Sequence, residues 1–435
     1  MRQHGTYHFI CFRFSLCERK NENTTKRKYR MRILLLALVV PNPPDSGPKI
    51  KTHYLLRYLA QRHEVTVVAF VRSAAEEAAA RELEGLCQAV YTVPIQRSRA
   101  RDIGYLLASF FSTRPFLMLR DESRAMRRQL RELLAREQFD LAHADQLNMA
   151  PFARSTGLPV VLDEHNAVWT IFQRMAVQEH GIKRLLLELE WRRLKRYEGR
   201  VCRSSAAVMT VSEEDRVALE DAGAPQNMPI IPIAVEVAGI QPVQRQPNAQ
   251  GMLSMATMYW PPNIDGVLWF AREVLPLIRR DEPDAPFYIV GARPPAEVRA
   301  LTLDSSVEVT GYVDDPRPYL ESSALMVVPL RAGGGMRVKI LEALARGIPV
   351  VSTTIGAEGI DVTPGVHLLI ADEPVDFAAA VVQLLRDRVL ADQLATNGRR
   401  HAIARYDWRA VCPAVEPVYR QALAAAGRGQ PALAK

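Results

Sequence analysis

Residues 333–352 read GGGMRVKILEALARGIPVVS and are the most informative stretch of the chain about its fold. It follows a strand-like apolar run, Leu325–Leu330, and it ends in another, Pro349–Thr353. Between these runs, three glycines form a turn, and the residues after Gly335 have the apolar spacing of a helix. A strand, a glycine turn, a helix and a strand in this order predict one unit of a parallel α/β sheet.

The same stretch has the chemistry of an anion site. A glycine turn frees backbone N–H groups, and the N-terminus of a helix adds partial positive charge, so the turn suits a phosphate. Lys339 and Glu342 lie three residues apart and therefore share one face of the helix. A cation beside phosphates and a carboxylate for sugar hydroxyls would together hold a nucleotide sugar. The alternative is a glycine turn before a helix with ordinary surface charges, which is common in α/β folds.

Length and composition indicate a globular protein of two or three domains. The chain has 435 residues, of which 48% are hydrophobic and 24% are charged. No apolar stretch reaches the roughly 18 residues needed to cross a bilayer, and the run Ile33–Val40 is short enough to be a buried parallel strand. The five cysteines form no CxxC pair, which argues against a zinc site or a disulfide framework and favours a reducing cytoplasm.

Most of the net charge of +8 lies at the start of the chain. Residues 1–30 contain eight Lys or Arg and two Glu, so residues 31–435 carry a formal charge of only +2. Nucleic acid is therefore not an expected partner of the body of the chain. We interpret residues 1–30 as a disordered or non-native extension before a true start at Met31. The alternative is a basic arm that contacts acidic lipid or nucleic acid.

Two series of alternating strands and helices predict two doubly wound, Rossmann-like domains whose parallel sheets face each other across a cleft. The first series spans residues 31–230 and the second spans residues 251–405. A proline-rich segment without helical periodicity, assigned as a linker at residues 231–250, separates them. Residues 406–435 contain a last helix, near Trp408–Ala424, that is expected to cross back to the first domain. Ligands should bind at the carboxyl ends of the strands.

In the first domain, two loops after strands carry candidate acceptor-side residues. The loop after the first strand contains Gly47, which allows close backbone approach, and Lys49, which could meet an anion, but no GxGxxG fingerprint. The strand at Pro159–Asp163 is followed by three polar residues: Glu164, His165 and Asn166. His165 could orient a hydroxyl or accept its proton, because the pKa of histidine lies near working pH. For both loops the alternative is a purely structural role.

In the second domain, glycines follow two further strands. Gly291 and Gly311 suit close backbone contact with a nucleotide on this side of the cleft. Asn263 stands after two prolines at the start of a predicted helix, and we expect its side chain to cap that helix.

Two basic segments raise the question of a membrane surface. Arg97–Arg120 combines arginines with aromatic and aliphatic residues and could rest on anionic lipid or receive a lipid-linked acceptor. We favour a core helix with basic flanks for this segment. Lys183–Arg200 is also densely basic, but its charges alternate with glutamates, so we favour a solvated helix face.

Taken together, these residues resemble the family 4 (group 1) retaining glycosyltransferases, which have the two-domain GT-B fold. The resemblance runs from about Met31 to the C-terminal helix, and its most specific part is Gly333–Val351. Shorter segments also carry it: the loop at Gly47, Val161–Asn166, Val208–Glu213, Ile289–Gly291, Val309–Val313 and Gly356–Gly359. Within the family, the chain is similar to the sugar transferases of exopolysaccharide and cell-envelope gene clusters.

The resemblance implies transfer of a sugar from a nucleotide donor with retention of the anomeric configuration and without a metal or another cofactor. It implies that Glu342 hydrogen-bonds the ribose hydroxyls of the donor. The other glutamate of the family's donor motif would fall on Gly334, so the chain departs from the pattern there. We expect the backbone N–H groups of Gly333, Gly334 and Gly335 to take over its contact with the donor sugar.

The resemblance also assigns catalytic roles. The Arg and Lys pair that members usually carry at the start of the second domain is not evident after Met255. Arg337 and Lys339 are therefore expected to neutralise the donor diphosphate, where a positioned cation stabilises the leaving group. His165 matches a polar strand end near the acceptor in this family.

We therefore expect a cytoplasmic glycosyltransferase, peripheral on the inner membrane face. It would use a nucleoside-diphosphate sugar and a lipid-linked or other glycan acceptor in exopolysaccharide, lipopolysaccharide or capsule biosynthesis. Two alternatives remain open: a nucleotide-sugar epimerase on the same fold, and a non-catalytic sugar-nucleotide-binding subunit suggested by Gly334.

Overall fold

The computed structural model describes residues 30–333 and 335–427, which form two six-stranded sheets with helices packed on them. The predicted N-terminal extension, Gly334 and residues 428–435 lie outside the described residues. Every described pairing between neighbouring strands of the two sheets is parallel. The predicted α/β fold with two doubly wound parallel sheets is confirmed.

The first sheet consists of β1 (Arg32–Ala37), β2 (Glu64–Val71), β3 (Ala89–Pro94), β4 (Leu141–Asp145), β5 (Val160–Asp163) and β6 (Ala207–Met209). Its order is β3-β2-β1-β4-β5-β6. The helices around it are α1 (Gly47–Ala60), α2 (Ala74–Arg81), α3 (Arg99–Phe110), α4 (Phe116–Arg120), α5 (Arg124–Leu134), α6 (Ala150–Arg154), α7 (Val168–Gln178), α8 (Gly181–Ser204) and α9 (Glu213–Asp221). Helix α1 begins directly after the loop of β1, with Pro48 in its first turn, where a missing N–H group is tolerated.

The second sheet consists of β7 (Gly251–Met255), β8 (Phe287–Val290), β9 (Val307–Gly311), β10 (Ser323–Val328), β11 (Val350–Ser352) and β12 (Leu369–Ile370). Its order is β12-β11-β10-β7-β8-β9. The helices that follow β7 along the chain are α10 (Pro261–Trp269), α11 (Leu275–Ile278), α12 (Ala296–Arg299), α13 (Arg317–Ser322), α14 (Val338–Ala345), α15 (Thr354–Ala357), α16 (Pro374–Arg386), α17 (Arg388–Tyr406), α18 (Trp408–Val411) and α19 (Val415–Ala425).

Each sheet separates two hydrophobic cores. Along β1, Ile33 and Leu35 belong to one core, whereas Leu34 and Leu36 belong to the other. This division follows from the alternation of side chains along a strand. Because both faces are covered, the strands are continuous apolar runs rather than alternating patterns.

The chain returns to the first sheet at its C-terminal end. Val415 and Tyr419 of α19 pack in the same core as Ile33 of β1. The predicted single helix Trp408–Ala424 is divided by a 3-10 turn at Cys412–Ala414, because proline at the second position of that turn has no backbone N–H group. The residue boundaries of the domains and the linker stay a prediction.

The favoured interpretation of Arg97–Arg120 as a core helix is wrong. Ile103, Leu107 and Phe110 of α3 are exposed, and Phe111, directly after the helix, is 95% exposed. Apolar spacing alone could not reveal this, because the same amphipathic pattern fits a helix against a core and a helix with an uncovered apolar face. None of the described helices combines the length and the apolar character that a membrane span needs.

Candidate active site between the two sheets

A cavity of about 540 Å³ opens between the two domains at the carboxyl ends of the strands. Its first-domain wall is formed by the start of α1 and the loop before it: Asp45, Ser46, Gly47 and Ile50. Its second-domain wall follows the ends of β7 and β8 and the sides of α10 and α14. Because β7 has β10 on one side and β8 on the other, the cavity lies where the winding of the sheet reverses direction. Open α/β sheets bind their ligands at such a point.

Lys339 is held on the cavity wall by an amide. Its Nζ donates to Oδ1 of Asn263 at 2.8 Å, and Nδ2 of Asn263 donates to the carbonyl of Thr257 at 2.9 Å. Burial, reinforced by the nearby Arg337, lowers the pKa of Lys339 to about 7. An anion in the cavity would restore the stabilisation that the ammonium group loses with its hydration. The wall is therefore suited to a phosphate.

The prediction that Asn263 caps its helix is wrong. Helix α10 begins at Pro261 with Trp260 as its N-cap residue, so Asn263 lies within the first turn. Prolines at the start of a helix remove N–H groups that would otherwise need a cap. The Asn263 amide is therefore available to position Lys339, a role that sequence reasoning missed. The two prolines directly before Asn263 are the sequence feature that indicates that its side chain is not needed as a cap.

Glu342 lies one helical turn after Lys339 and lines the same cavity. Burial raises the pKa of its carboxyl, although Arg346 and Lys339 act in the opposite direction. The guanidinium of Arg346 approaches Oε2 of Glu342 to 3.9 Å, which is too long for a strong hydrogen bond. The carboxyl thus keeps the capacity to accept hydrogen bonds from hydroxyl groups in the cavity.

The glycine turn before α14 is bound by the first domain. Arg174 of α7 donates to the carbonyl of Gly333 at 2.8 Å and to both carboxylate oxygens of Glu358 at 2.6 and 3.0 Å. Gly335 has a φ of +79°, and a Cβ atom there would lie 2.5 Å from Oδ1 of Asn166. A side chain at this position would be strained by the backbone and would collide with the first domain. The turn therefore joins the two domains at the rim of the cavity.

A buried ion cluster lies behind the first-domain wall, at the ends of β4 and β5. The ammonium of Lys51 contacts Asp163, and Nε2 of His165 lies 2.9 Å from Oδ1 of Asp145. Burial would raise the pKa of Asp163, but Lys51 and His165 hold it well below the usual range. Burial would likewise lower the pKa of His165, but the two carboxylates outweigh it and raise that pKa. The cluster thus places two carboxylates against the Lys51 ammonium and the His165 imidazole.

The same cluster contains three side chains with the composition of a metal site. Atoms of His143, Asp145 and Asp163 that could bind a metal ion lie within 4.8 Å of one another. Asp163 already faces the ammonium of Lys51, however, and Nδ1 of His143 lies 2.9 Å from the hydroxyl of Tyr419. A cation added to this cluster would be repelled by Lys51. These residues therefore do not fit a resident metal ion.

A second buried cluster contains Glu164. Burial raises its pKa well above the usual value, and the neighbouring Glu198 acts in the same direction. Glu198 accepts the backbone N–H groups of Val168 and Trp169 at 2.8 and 3.1 Å, and burial raises its pKa to about 8. Glu198 thus caps the start of α7, and Glu164 is a desolvated carboxyl group beside it.

The structure sorts the predicted site residues into three groups. On the cavity wall it places Gly47, Gly291, Arg337, Lys339 and Glu342. At the contact between the domains beside the cavity it places Gly333, Gly335 and Asn166. Buried behind the first-domain wall it places Glu164 and His165, which are 0% and 4% exposed. In this conformation Glu164 and His165 are therefore enclosed by protein.

Three further residues are predicted for the site: Lys49, Gly311 and Gly334. Lys49 forms an ion pair with Asp45 of the cavity wall at 3.1 Å. Gly311 ends β9 with a φ of +76°, and the residue after it, Tyr312, lines the cavity. Gly334 lies outside the described residues. Tyr312 and Trp260 present exposed aromatic rings on this wall.

Two family models match the chain, one over each sheet. The model described as Glycosyltransferase Family 4 matches residues 47–238, and the model described as Glycosyl transferases group 1 matches residues 249–387. The boundary between the two matches falls in the segment that separates β6 from β7.

Individual relatives agree with these models. The chain is 22% identical over 396 residues to an uncharacterized 44.6 kDa protein in the cps region of Klebsiella pneumoniae, with 87% of this chain and 97% of the relative covered. It is 25% identical over 309 residues to the MMP alpha-(1->4)-mannosyltransferase of Mycolicibacterium hassiacum, with 66% and 72% covered.

Solved structures show the same architecture. Anabaena HepE in complex with UDP-glucose matches with a TM-score of 0.63 at 15% identity, covering 89% of this chain and 99% of HepE. The two family models, the relatives and the two facing parallel sheets lead to one conclusion. The chain belongs to the group 1 glycosyltransferases and has the GT-B fold.

Proposed function

We propose that the chain transfers a sugar from a nucleoside-diphosphate sugar to a hydroxyl group of a glycan acceptor. The observation that carries this proposal is the pair Lys339 and Glu342, which share one cavity wall at the carboxyl ends of the second sheet. A nucleotide sugar as donor is supported by the UDP-glucose bound to HepE and by the mannosyltransferase among the relatives.

In this proposal, the second domain holds the donor. Lys339 and Arg337 neutralise the diphosphate, and Glu342 accepts hydrogen bonds from the ribose hydroxyls. The ammonium of Lys339 is desolvated before the donor arrives, so its attraction to a phosphate is stronger than it would be in water. Because the protein supplies the positive charge, we propose that transfer does not require a metal ion.

The reaction breaks the bond between the anomeric carbon and the diphosphate oxygen. The electron pair leaves with the diphosphate, and the acceptor oxygen forms the new bond to the same carbon. We propose that the acceptor attacks from the face that the diphosphate leaves, which retains the configuration, and that the departing diphosphate takes up the acceptor proton. Lys339 and Arg337 would stabilise the charge that grows on the leaving group.

The acceptor is proposed to enter along the first-domain wall, past Asp45 and Gly47. His165 would then act as a positioning residue, because its pairing with Asp145 holds the cluster behind this wall in place. The bridge from Arg174 to Gly333 and Glu358 would keep the domains together, so that water is excluded from the donor. We propose that this acceptor is lipid-linked and belongs to polysaccharide assembly.

A panel of nucleoside-diphosphate sugars tests the proposal. The protein is incubated with each donor, with and without a lipid-linked glycan acceptor and with a chelator, and released nucleoside diphosphate is measured. We expect acceptor-dependent release that the chelator leaves unchanged, and loss of release in Lys339→Ala and Glu342→Ala. An isomerised sugar without acceptor would instead identify an epimerase. Binding without turnover across the panel would indicate a non-catalytic subunit, and full activity in both variants would contradict the site.

A further inference from the structure

One face of α8 carries exposed apolar side chains in its first half and arginines in its second half. Seven positions spaced three or four residues apart share this face: Ile182, Leu185, Leu189, Arg193, Arg196, Arg200 and Arg203. Ile182 and Leu185 are 77% and 60% exposed. The helix has 24 residues and is therefore about 36 Å long. The solvated face favoured from the sequence does not account for the exposed apolar half.

The four arginines line one cavity of about 580 Å³, completed by Ser112, Thr113 and Ala222. No carboxylate contributes to the wall of this cavity within the described part of the chain. The nearby acidic side chains are already paired, Glu188 with Arg192 and Asp221 with Lys195. Four guanidinium groups on one wall repel each other unless an anion lies between them, and their planar forks match phosphate oxygens.

The end of α3 joins this cavity to a second apolar face. Arg193 donates to the backbone carbonyls of Ser109 and Ser112, which fixes the end of α3 against α8. Four apolar side chains of α3 and of the residue after it are exposed to solvent: Ile103, Leu107, Phe110 and Phe111. Phe111 directly precedes the residues that line the arginine cavity. The exposed side chains of α3 and the exposed face of α8 therefore form one surface, which we call the α3–α8 surface.

We propose that the α3–α8 surface docks on an anionic bilayer, with the arginine cavity binding lipid phosphates and Phe110 and Phe111 entering the region between headgroups and acyl chains. Charge complementarity favours this occupant, because an anionic bilayer presents many phosphates in one plane. The exposed apolar side chains discriminate against nucleic acid, whose phosphate backbone would leave them in water. The proposal does not depend on sugar transfer, since the surface lies outside the donor cavity.

Vesicle co-sedimentation tests the proposal. The full chain is mixed with vesicles of phosphatidylglycerol and phosphatidylcholine, or of phosphatidylcholine alone, and the bound fraction is measured. Three variants are compared with wild type: Arg196→Glu/Arg200→Glu, Phe110→Ser/Phe111→Ser, and Arg272→Glu/Arg280→Glu as a control. The control reverses the same number of arginines at exposed positions of the second domain. Thermal unfolding and nucleoside-diphosphate binding show whether each variant is folded.

We expect wild type and the control variant to bind anionic vesicles and to ignore neutral ones. Arg196→Glu/Arg200→Glu should weaken binding by more than about tenfold, because each basic residue near an anionic surface contributes about one kcal/mol, or about fivefold. Phe110→Ser/Phe111→Ser should weaken it as well. Equal binding to neutral vesicles, or wild-type binding by the arginine variant, would overturn the proposal. Binding to an RNA oligonucleotide without binding to vesicles would also overturn it and assign the arginines to nucleic acid.

Discussion

Each domain has a lysine near the carboxyl ends of its strands, and the surroundings of the two lysines differ. Lys51 lies at the ends of the first-sheet strands, fully enclosed, with its ammonium on Asp163. Lys339 lies at the ends of the second-sheet strands, on a cavity wall, with its ammonium on the amide of Asn263. One lysine has an internal carboxylate partner, whereas the other donates to a neutral group and loses proton affinity through burial.

The difference shows how one architecture produces a structural site and a binding site. Both sheets end in polar groups at the point where their winding reverses, as expected for this class of fold. In the first domain, the Lys51 ammonium contacts Asp163 and the His165 ring lies against Asp145, so these charged groups face partners within the protein. In the second domain, the ammonium of Lys339 donates to a neutral amide and faces an open cavity. This difference supports the proposal that the cavity beside Lys339 is the donor site.

Replacing each lysine tests the difference between the two sites, and replacement of Lys51 is expected to have the largest effect. Lys51→Met should lower the free energy of unfolding by about 3–5 kcal/mol, because it leaves Asp163 buried without its cation. Lys49→Met, two residues earlier, is the matched control and should cost less than about 1 kcal/mol, since its ion-pair partner Asp45 is 57% exposed. Urea unfolding measures both. Equal stability of Lys51→Met and wild type would show that the first cluster is not a structural ion network.

Lys339→Met should have the opposite profile. Its free energy of unfolding should stay equal or rise, because a lysine with a lowered pKa costs the folded state stability. Its affinity for a nucleoside diphosphate should fall by about 2–3 kcal/mol, the typical contribution of a charged hydrogen bond at a desolvated site. Calorimetric titration with UDP and GDP measures the loss. A Lys339→Met variant that is strongly destabilised but still binds the nucleotide would show that Lys339 stabilises the fold and does not bind the donor.

The pH dependence of nucleoside-diphosphate binding tests the lowered pKa of Lys339. The pKa of Lys339 is about 7 in the free protein, and a bound diphosphate favours the charged form, so that pKa rises on binding. Binding therefore takes up a proton above pH 7, and affinity should fall by up to about tenfold, or 1.4 kcal/mol, for each pH unit above that value. Lys339→Arg stays charged over this range and should show a flat profile. A sloping profile in Lys339→Arg would assign the titration to another group.

The smallest expected effect concerns the bridge between the domains. Arg174→Ala removes the hydrogen bonds to Gly333 and Glu358, but the ion pair is partly exposed, so the free energy of unfolding should change by less than about 1 kcal/mol. The rate of sugar transfer should fall while diphosphate affinity stays unchanged, because the bridge aligns the domains and does not line the cavity. Unchanged turnover in this variant would remove the bridge from the proposed mechanism.

Local patterns in the sequence predicted the parallel sheets and the shared position of Lys339 and Glu342 on one helix face. Apolar runs located the strands because both faces of each sheet are covered, and a spacing of three residues placed Lys339 and Glu342 on one helix face. These features depend on neighbouring residues, so they can be read without knowledge of the tertiary structure.

Other features depended on residues that are distant in the chain. The hydroxyl of Tyr419 meets His143 across 276 positions, and Arg174 meets Gly333 across 159. The burial of His165 depends on such contacts, and a strand-end histidine in the sequence shows only that it lies near the cleft. The exposure of α3 was equally hidden, because periodicity identifies an apolar face but not what covers it.

The central claim is that the cavity beside Lys339 and Glu342 is the donor site. A crystal structure of the protein with UDP or GDP, whichever binds, tests it most directly. The account predicts the diphosphate within about 3 Å of the Lys339 ammonium, and the ribose hydroxyls on the Glu342 carboxyl. A nucleotide bound elsewhere, with Lys339 still donating to Asn263 alone, would contradict it.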